Sequence, residues 1–166
     1  MRVADFFALD SEWVRRPAAV AHRRDATVAL VLFALSAIGL EMLRSGGTLD
    51  GRRIVSRAMI ERARTIWTGD KPNEFYANVI RATGSIAPPA NIGLGFSVRG
   101  PQMGTSMFGT LASPGTFGAH GAGTTIFWVD PERDISFVGL MTGLMSTIDN
   151  LWRWQRLSDI VLAAAL

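Results

Sequence analysis

The 166-residue sequence predicts an α/β domain of the α+β type, a small antiparallel sheet flanked by helices and closed by a C-terminal helix. Three observations predict it. Two apolar runs, Thr124–Val129 (TTIFWV) and Ile135–Met141 (ISFVGLM), are joined by Asp-Pro-Glu-Arg-Asp, a polar connection of the kind that turns an antiparallel hairpin. Both runs are apolar at nearly every position, so both faces of the hairpin should be covered. Near the end, Leu151, Trp154, Leu157, Val161 and Ala164 recur at helical spacing as a core stripe. Upstream of both, Gly46-Gly47 and Leu49-Asp50-Gly51 read as a helix stop followed by a tight turn.

Taken in order, residues 1–25 form an N-terminal segment of mixed character, with Phe6, Phe7, Trp13, several arginines and Pro17, which limits any helix there. No charged n-region runs directly into an apolar core and a small-residue cleavage site, so a cleaved signal peptide is not expected and a cytoplasmic location is favoured. Residues 26–166 are read as one domain. It opens with Ala26–Leu40 (ATVALVLFALSAIGL), apolar all round and ending at Glu41. A bilayer crossing needs about 20 apolar residues, and this run is shorter. A core helix is the expectation, with membrane or protein contact through Ala26–Leu40 as the alternative.

Ser56 is placed to cap a helix over Arg57–Trp67 with one buried face. Glu74–Thr83 reads as a further short helix, ended by Pro88-Pro89. Ile92–Val98 (IGLGFSV) reads as a strand with close backbone approach at Gly93 and Gly95. Gly100–Pro114 is a loop. The glycine-rich Gly118–Gly123, with His120 inside it, leads into the hairpin, and Ser146–Asn150 offers N-caps for the last helix.

Composition excludes several functions. The formal charge is only +3, and no basic face with interleaved aromatics is visible, so nucleic acid is not an expected partner. With no cysteine there is no disulfide, thiolate or cysteine-zinc chemistry. His22 and His120 are too far apart in sequence to suggest a metal site, and no cofactor is expected. Asp130, Glu132 and Asp134 read as solvated turn carboxylates. Gly118–Gly123 opens a strand and lacks a following lysine, so it is not a phosphate loop.

The order of these parts resembles one family. Phe-Gly-x-x-Gly-x-Gly over Phe117–Gly123, a strand, Trp-Val-Asp-Pro-Glu over Trp128–Glu132, and a second strand resemble the C-terminal part of the serine β-lactamase-like hydrolases. These are the esterases and class C β-lactamase relatives of the penicillin-binding-protein fold. Leu43–Ser56 (LRSGGTLDGRRIVS) resembles their helix end, Leu-Asp-Gly turn and short strand, and Asn150–Leu166 their closing helix. The resemblance implies a partial β-lactamase/transpeptidase-like fold, whose missing N-terminal strands would leave one sheet edge unpaired. It also implies an ester, amide or β-lactam substrate attacked by a serine to give an acyl-enzyme.

By the same resemblance, Ala119-His120-Gly121 takes the place of the family's strand triad, and the N–H of Ala122 that of an oxyanion donor. His120, Gly121 and Ala122 are therefore the candidate catalytic residues. Ala119 stands where a lysine or histidine usually does, and the histidine follows one place later. Strand alternation would turn His120 to the opposite face unless a bulge recovers it.

The nucleophile is missing. Lys71 is the only lysine, and Thr68 stands three places before it, so there is no Ser-x-x-Lys. Tyr76-Ala77-Asn78 spells Tyr-x-Asn, but it follows the Leu-Asp-Gly turn, whereas the family's motif lies far upstream; a chance match is the expectation. Ser106 and Ser113 are the remaining candidates near His120. The expected protein carries one wall of a cleft and meets a small ester or amide substrate only when completed by an N-terminal half. The alternatives are half of a split enzyme, and a non-catalytic interaction or membrane-associated module.

Overall fold

A computed structural model of the protein describes residues 23–74, 76–77, 88–121, 125–141 and 143–165. Its contacts divide the chain into two units, residues 1–32 and 33–166. The described elements are α1 (Arg23–Arg44), β1 (Thr48–Leu49), β2 (Arg52–Arg53), α2 (Arg57–Ala63), β3 (Ser97–Val98), β4 (Phe117–His120), β5 (Ile126–Asp130), β6 (Ile135–Gly139) and α3 (Thr147–Ala165).

Glycines stop α1 as expected. The N–H of Gly47 reaches back to the Met42 carbonyl at 2.8 Å, with Gly46 and Gly47 at φ 62° and 92°. A Cβ on Gly47 would lie 2.1 Å from the Val55 carbonyl oxygen, so only glycine fits. Asp50 and Gly51, at φ 47° and 74°, make the two-residue turn that pairs β1 with β2. The Ser56 hydroxyl then accepts the Met59 N–H at 3.1 Å and caps α2. This helix ends at Ala63 rather than Trp67. The Ala63 carbonyl is taken by the Leu94 N–H at 2.8 Å, and Trp67 donates instead to the Ile92 carbonyl at 2.9 Å.

That crossing also shortens the strand expected over Ile92–Val98. Gly93 lies so close that a Cβ would be 2.1 Å from the Ala63 oxygen, and its N–H turns back onto the Phe96 carbonyl. Only Ser97–Val98 remains a strand. Gly95 is there for its φ of 83°, not for close approach, since nothing lies within 4 Å of a Cβ on it.

The larger sheet runs β3-β4-β5-β6, all antiparallel. The β5–β6 hairpin forms as the sequence predicts, in register from Ile126↔Gly139 to Asp130↔Ile135, and both of its faces are covered. Ile126 and Trp128 pack with Phe108, Leu151, Trp154 and Leu162 of the α3 side. Phe117 and Val129 pack with Leu40, Ile60 and Val98 on the other. Among the described residues β3 and β6 are the two edges of this sheet.

The Ser146 hydroxyl caps α3 by accepting the Asp149 N–H at 3.2 Å. The buried face of α3 runs Leu151, Trp154, Ser158, Leu162, with Val161 partly buried against the same cluster; Leu157 is half-buried and Ala164 exposed. Ser158 is drawn inward because its hydroxyl accepts the Trp128 indole N–H at 2.9 Å and donates to the Met107 carbonyl at 2.9 Å.

Two further expectations are overturned. Ala26–Leu40 is helical but not core: Val28, Leu30, Val31, Leu32, Phe33, Leu35 and Ile38 are all exposed. Only the C-terminal end of α1 meets the apolar cluster beneath the sheet, through buried Leu40 and partly buried Leu43. Asp130 is not a solvated turn carboxylate. It ends β5 fully buried and accepts hydrogen bonds from the N–H groups of Ser113, Glu132 and Arg133 at 2.9, 3.1 and 3.2 Å, and from Arg133 Nη1 at 3.0 Å. Glu132 and Asp134 are exposed, as expected.

Candidate functional site

β4 pairs with β5 without a bulge, from Phe117↔Val129 to His120↔Ile126, so simple alternation decides where each side chain goes. Phe117 joins the cluster on the α1 side, and Ala119 lines a cavity of about 620 Å³ there with Leu40, Leu43, Phe96 and Phe127. His120 turns to the other face, with its ring centroid 4.7 Å from that of Trp154. As the last residue of the strand, His120 also borders both this cavity and a second one of about 840 Å³. The second cavity lies among Tyr76, Pro89, Arg99, Ser106 and Met107.

Tyr76 was expected to be a chance match, yet the fold sets its hydroxyl 3.1 Å from His120 Nε2. The turn at Asn73 does this: its carbonyl accepts the N–H groups of Tyr76 and Ala77 at 3.1 and 2.8 Å. The other imidazole nitrogen, Nδ1, lies 3.2 Å from the Met107 sulfur. A thioether can only accept, so Nδ1 carries the proton and Nε2 accepts the Tyr76 O–H. Burial holds His120 below the usual histidine range and pushes Tyr76 up to about 12. The pair is therefore neutral at neutral pH, a phenol donating to an imidazole base. The signal for Tyr76 in the sequence is that it is the chain's only tyrosine.

The other predicted residues fall as follows. Gly121 follows His120, but its N–H is committed to the Thr125 carbonyl at 3.0 Å and does not point at a ligand. Ala122, the expected oxyanion donor, lies outside the described residues, as does Asn78. Ser113 is buried, its N–H on Asp130 and its hydroxyl in contact with Arg133. Ser106 borders the larger cavity, and its hydroxyl accepts the Phe108 N–H at 3.3 Å. Among the described residues neither serine hydrogen-bonds to His120, and no carboxylate does. Lys71 is exposed after a turn in which its N–H meets the Thr68 carbonyl at 3.3 Å, which is no helix start.

The α+β architecture, with a β4-β5-β6 meander closed by α3, is the C-terminal portion of a β-lactamase- and penicillin-binding-protein-like fold. No family model and no curated protein matches the chain. Among solved structures, a β-lactamase from Mycobacterium bovis is similar at 26% identity and a TM-score of 0.61, over 80% of this chain and 43% of that one. A penicillin-binding protein homologue from Caulobacter crescentus shares the fold at 23% identity and a TM-score of 0.51, over 76% of this chain and 30% of that one. The chain thus spans less than half the length of either structure.

Proposed function

We propose that this chain forms one wall of the acyl-transfer cleft of a β-lactamase-related serine hydrolase, acting on an ester, amide or β-lactam, and that residues 1–166 alone are catalytically incomplete. The supporting observation is the end of β4. Ala119-His120-Gly121 stands between two cavities, in a fold shared with a β-lactamase, and no Ser-x-x-Lys occurs in the sequence. An acyl-enzyme needs a nucleophile whose deprotonation is assisted by a neighbouring base. The serine and its lysine would come from an N-terminal half, whether on a separate chain or not. The serine oxygen would bond to the substrate carbonyl carbon, with the proton passing to the base and on to the leaving group. His120 and Gly121 would line the wall, and the Ala122 N–H would face the developing oxyanion.

Treatment with an acylating serine probe, followed by intact-mass measurement, tests the incompleteness. The expected result is no adduct and no hydrolysis of activated esters or chromogenic cephalosporins above background. A stoichiometric serine adduct that disappears in His120→Ala would show that the chain holds its own nucleophile.

A second reading rests on α1, whose exposed leucines, valines and phenylalanine form an apolar surface of the sort that marks contact with a membrane or partner. Among the described residues no helix is long and apolar enough to cross a membrane, so this contact would be peripheral. The purified chain is expected to need detergent for solubility, and Val31→Glu with Leu35→Glu to remove that need. Identical behaviour of the two proteins without detergent would dispose of this reading.

A further inference from the structure

The larger cavity contains a charge that the proposed cleft wall does not use. Arg99 is only 8% exposed. Strand alternation explains its position. Val98 packs on the α1 side, so Arg99 turns to the opposite face, while its N–H extends the β3–β4 ladder to the Thr116 carbonyl at 2.8 Å. Every acceptor on its guanidinium is a backbone carbonyl: Gly109 on Nε at 3.2 Å, and Gly100 and Gln102 on Nη1 at 3.4 and 2.5 Å.

Among the described residues Arg99 makes no ion pair. The acid whose field favours it, Asp159, has Oδ1 committed to the N–H groups of Thr110 and Leu111 and to the Thr110 hydroxyl. Among the described residues Nη2 makes no hydrogen bond, and it is not sealed off from solvent. A buried charge is costly unless an opposite charge meets it, and carbonyl dipoles offset only part of that cost. Burial accordingly lowers the basicity of Arg99. With Nε and Nη1 committed to carbonyls, the N–H groups of Nη2 remain to donate to an oxyanion, and the carbonyls hold the guanidinium in place to do so.

We propose that Arg99 is an anion subsite of the 840 Å³ cavity, which receives a carboxylate of a small-molecule ligand on Nη2. Asn91 maintains the arrangement: its side-chain amide donates to the Arg99 carbonyl at 3.0 Å and to Gln102 Oε1 at 3.2 Å. The assignment deepens the cleft reading by giving its ligand a negative charge, and it rests on that reading only for the ligand's role. Binding is measured without turnover, so catalytic failure and failure of the subsite are separable.

The test is titration of the isotope-labelled full chain with acetate, against acetamide and against chloride at equal ionic strength, read at the Arg99 side-chain N–H resonance and the Gly100 and Gln102 amides. Acetate is expected to shift these signals saturably, with a dissociation constant of about 10 mM or tighter. Acetamide and chloride should leave them in place. Arg99→Lys, which keeps the charge but loses the fork, should weaken acetate binding about tenfold. If that variant does not fold, the wild-type titration decides alone. Absence of a saturable acetate shift, or equal shifts with chloride, would mean that Arg99 serves only to pin the 100–109 loop.

Discussion

Asp130→Ala is expected to destabilise the chain by about 3 kcal/mol, the cost of stranding donors around a deleted buried charge. The carboxylate receives three backbone N–H groups and Arg133 Nη1, and the side chain is wholly buried. Arg133 is partly exposed and can find water, so the backbone donors make up most of the loss. Urea denaturation of both proteins measures it, and a change below about 0.5 kcal/mol would show the network to be unimportant.

The carboxylate also sets an acid limit. Burial alone would raise its pKa, but the hydrogen bonds from Ser113 and Arg133 outweigh burial and hold it below the ordinary value of 3.8. Between that value and the lower folded one, the unfolded chain binds more protons. The stabilisation is therefore complete above pH 3.8 and is lost as pH falls through the folded pKa. Asp130→Asn should lack this part of the acid transition.

Trp128→Ala is expected to cost about 3–5 kcal/mol, as other buried aromatic truncations do. The indole is fully buried, with its ring centroid 5.5 Å from that of Phe137 and Leu151, Trp154 and Leu162 of α3 in the same cluster. The effect should reach the candidate site. Trp128 holds Ser158, Ser158 holds the Met107 carbonyl, and the Met107 sulfur meets His120 Nδ1. Trp128→Phe keeps most of the apolar surface and loses the indole hydrogen bond, for about 1–2 kcal/mol. Calorimetry gives both values, and the His120 ring resonances report on the relay. An unchanged imidazole environment in Trp128→Ala would disconnect Trp128 from the site.

Much of the hairpin was legible because its signals are local. Thr124–Val129 and Ile135–Met141 are β-branched and aromatic runs around a proline loop, and no tertiary contact is needed to favour their pairing. The Asp50-Gly51 turn and the Ser56 and Ser146 caps are likewise set by a few neighbouring residues. The site was less legible. Alternation along β4 gave the facing of His120, but its partners Tyr76 and Met107 lie 44 and 13 residues away in sequence. No spacing rule joins them.

Three misreadings share a cause. Asp130 has the composition of a turn residue, and it is buried because Ser113, 17 residues upstream, donates to it across the fold. Ser158 displaces Leu157 from the core stripe because the Trp128 indole offers it a buried partner. Ala26–Leu40 has the composition of a core helix, but the apolar cluster receives only its last turns.

The hairpin, the glycine stops and caps, the order of parts that resembles a β-lactamase-like hydrolase and the lack of Ser-x-x-Lys are all written in residue order. Each of these depends on residue type and short-range geometry, which the chain carries wherever it folds. Which polar groups are buried depends on long-range packing. That choice placed Asp130 in a network, His120 against Tyr76, and Arg99 in a cavity without a carboxylate. The cost of burying a polar group depends on which distant donors and acceptors surround it, and that information exists only once the chain has closed.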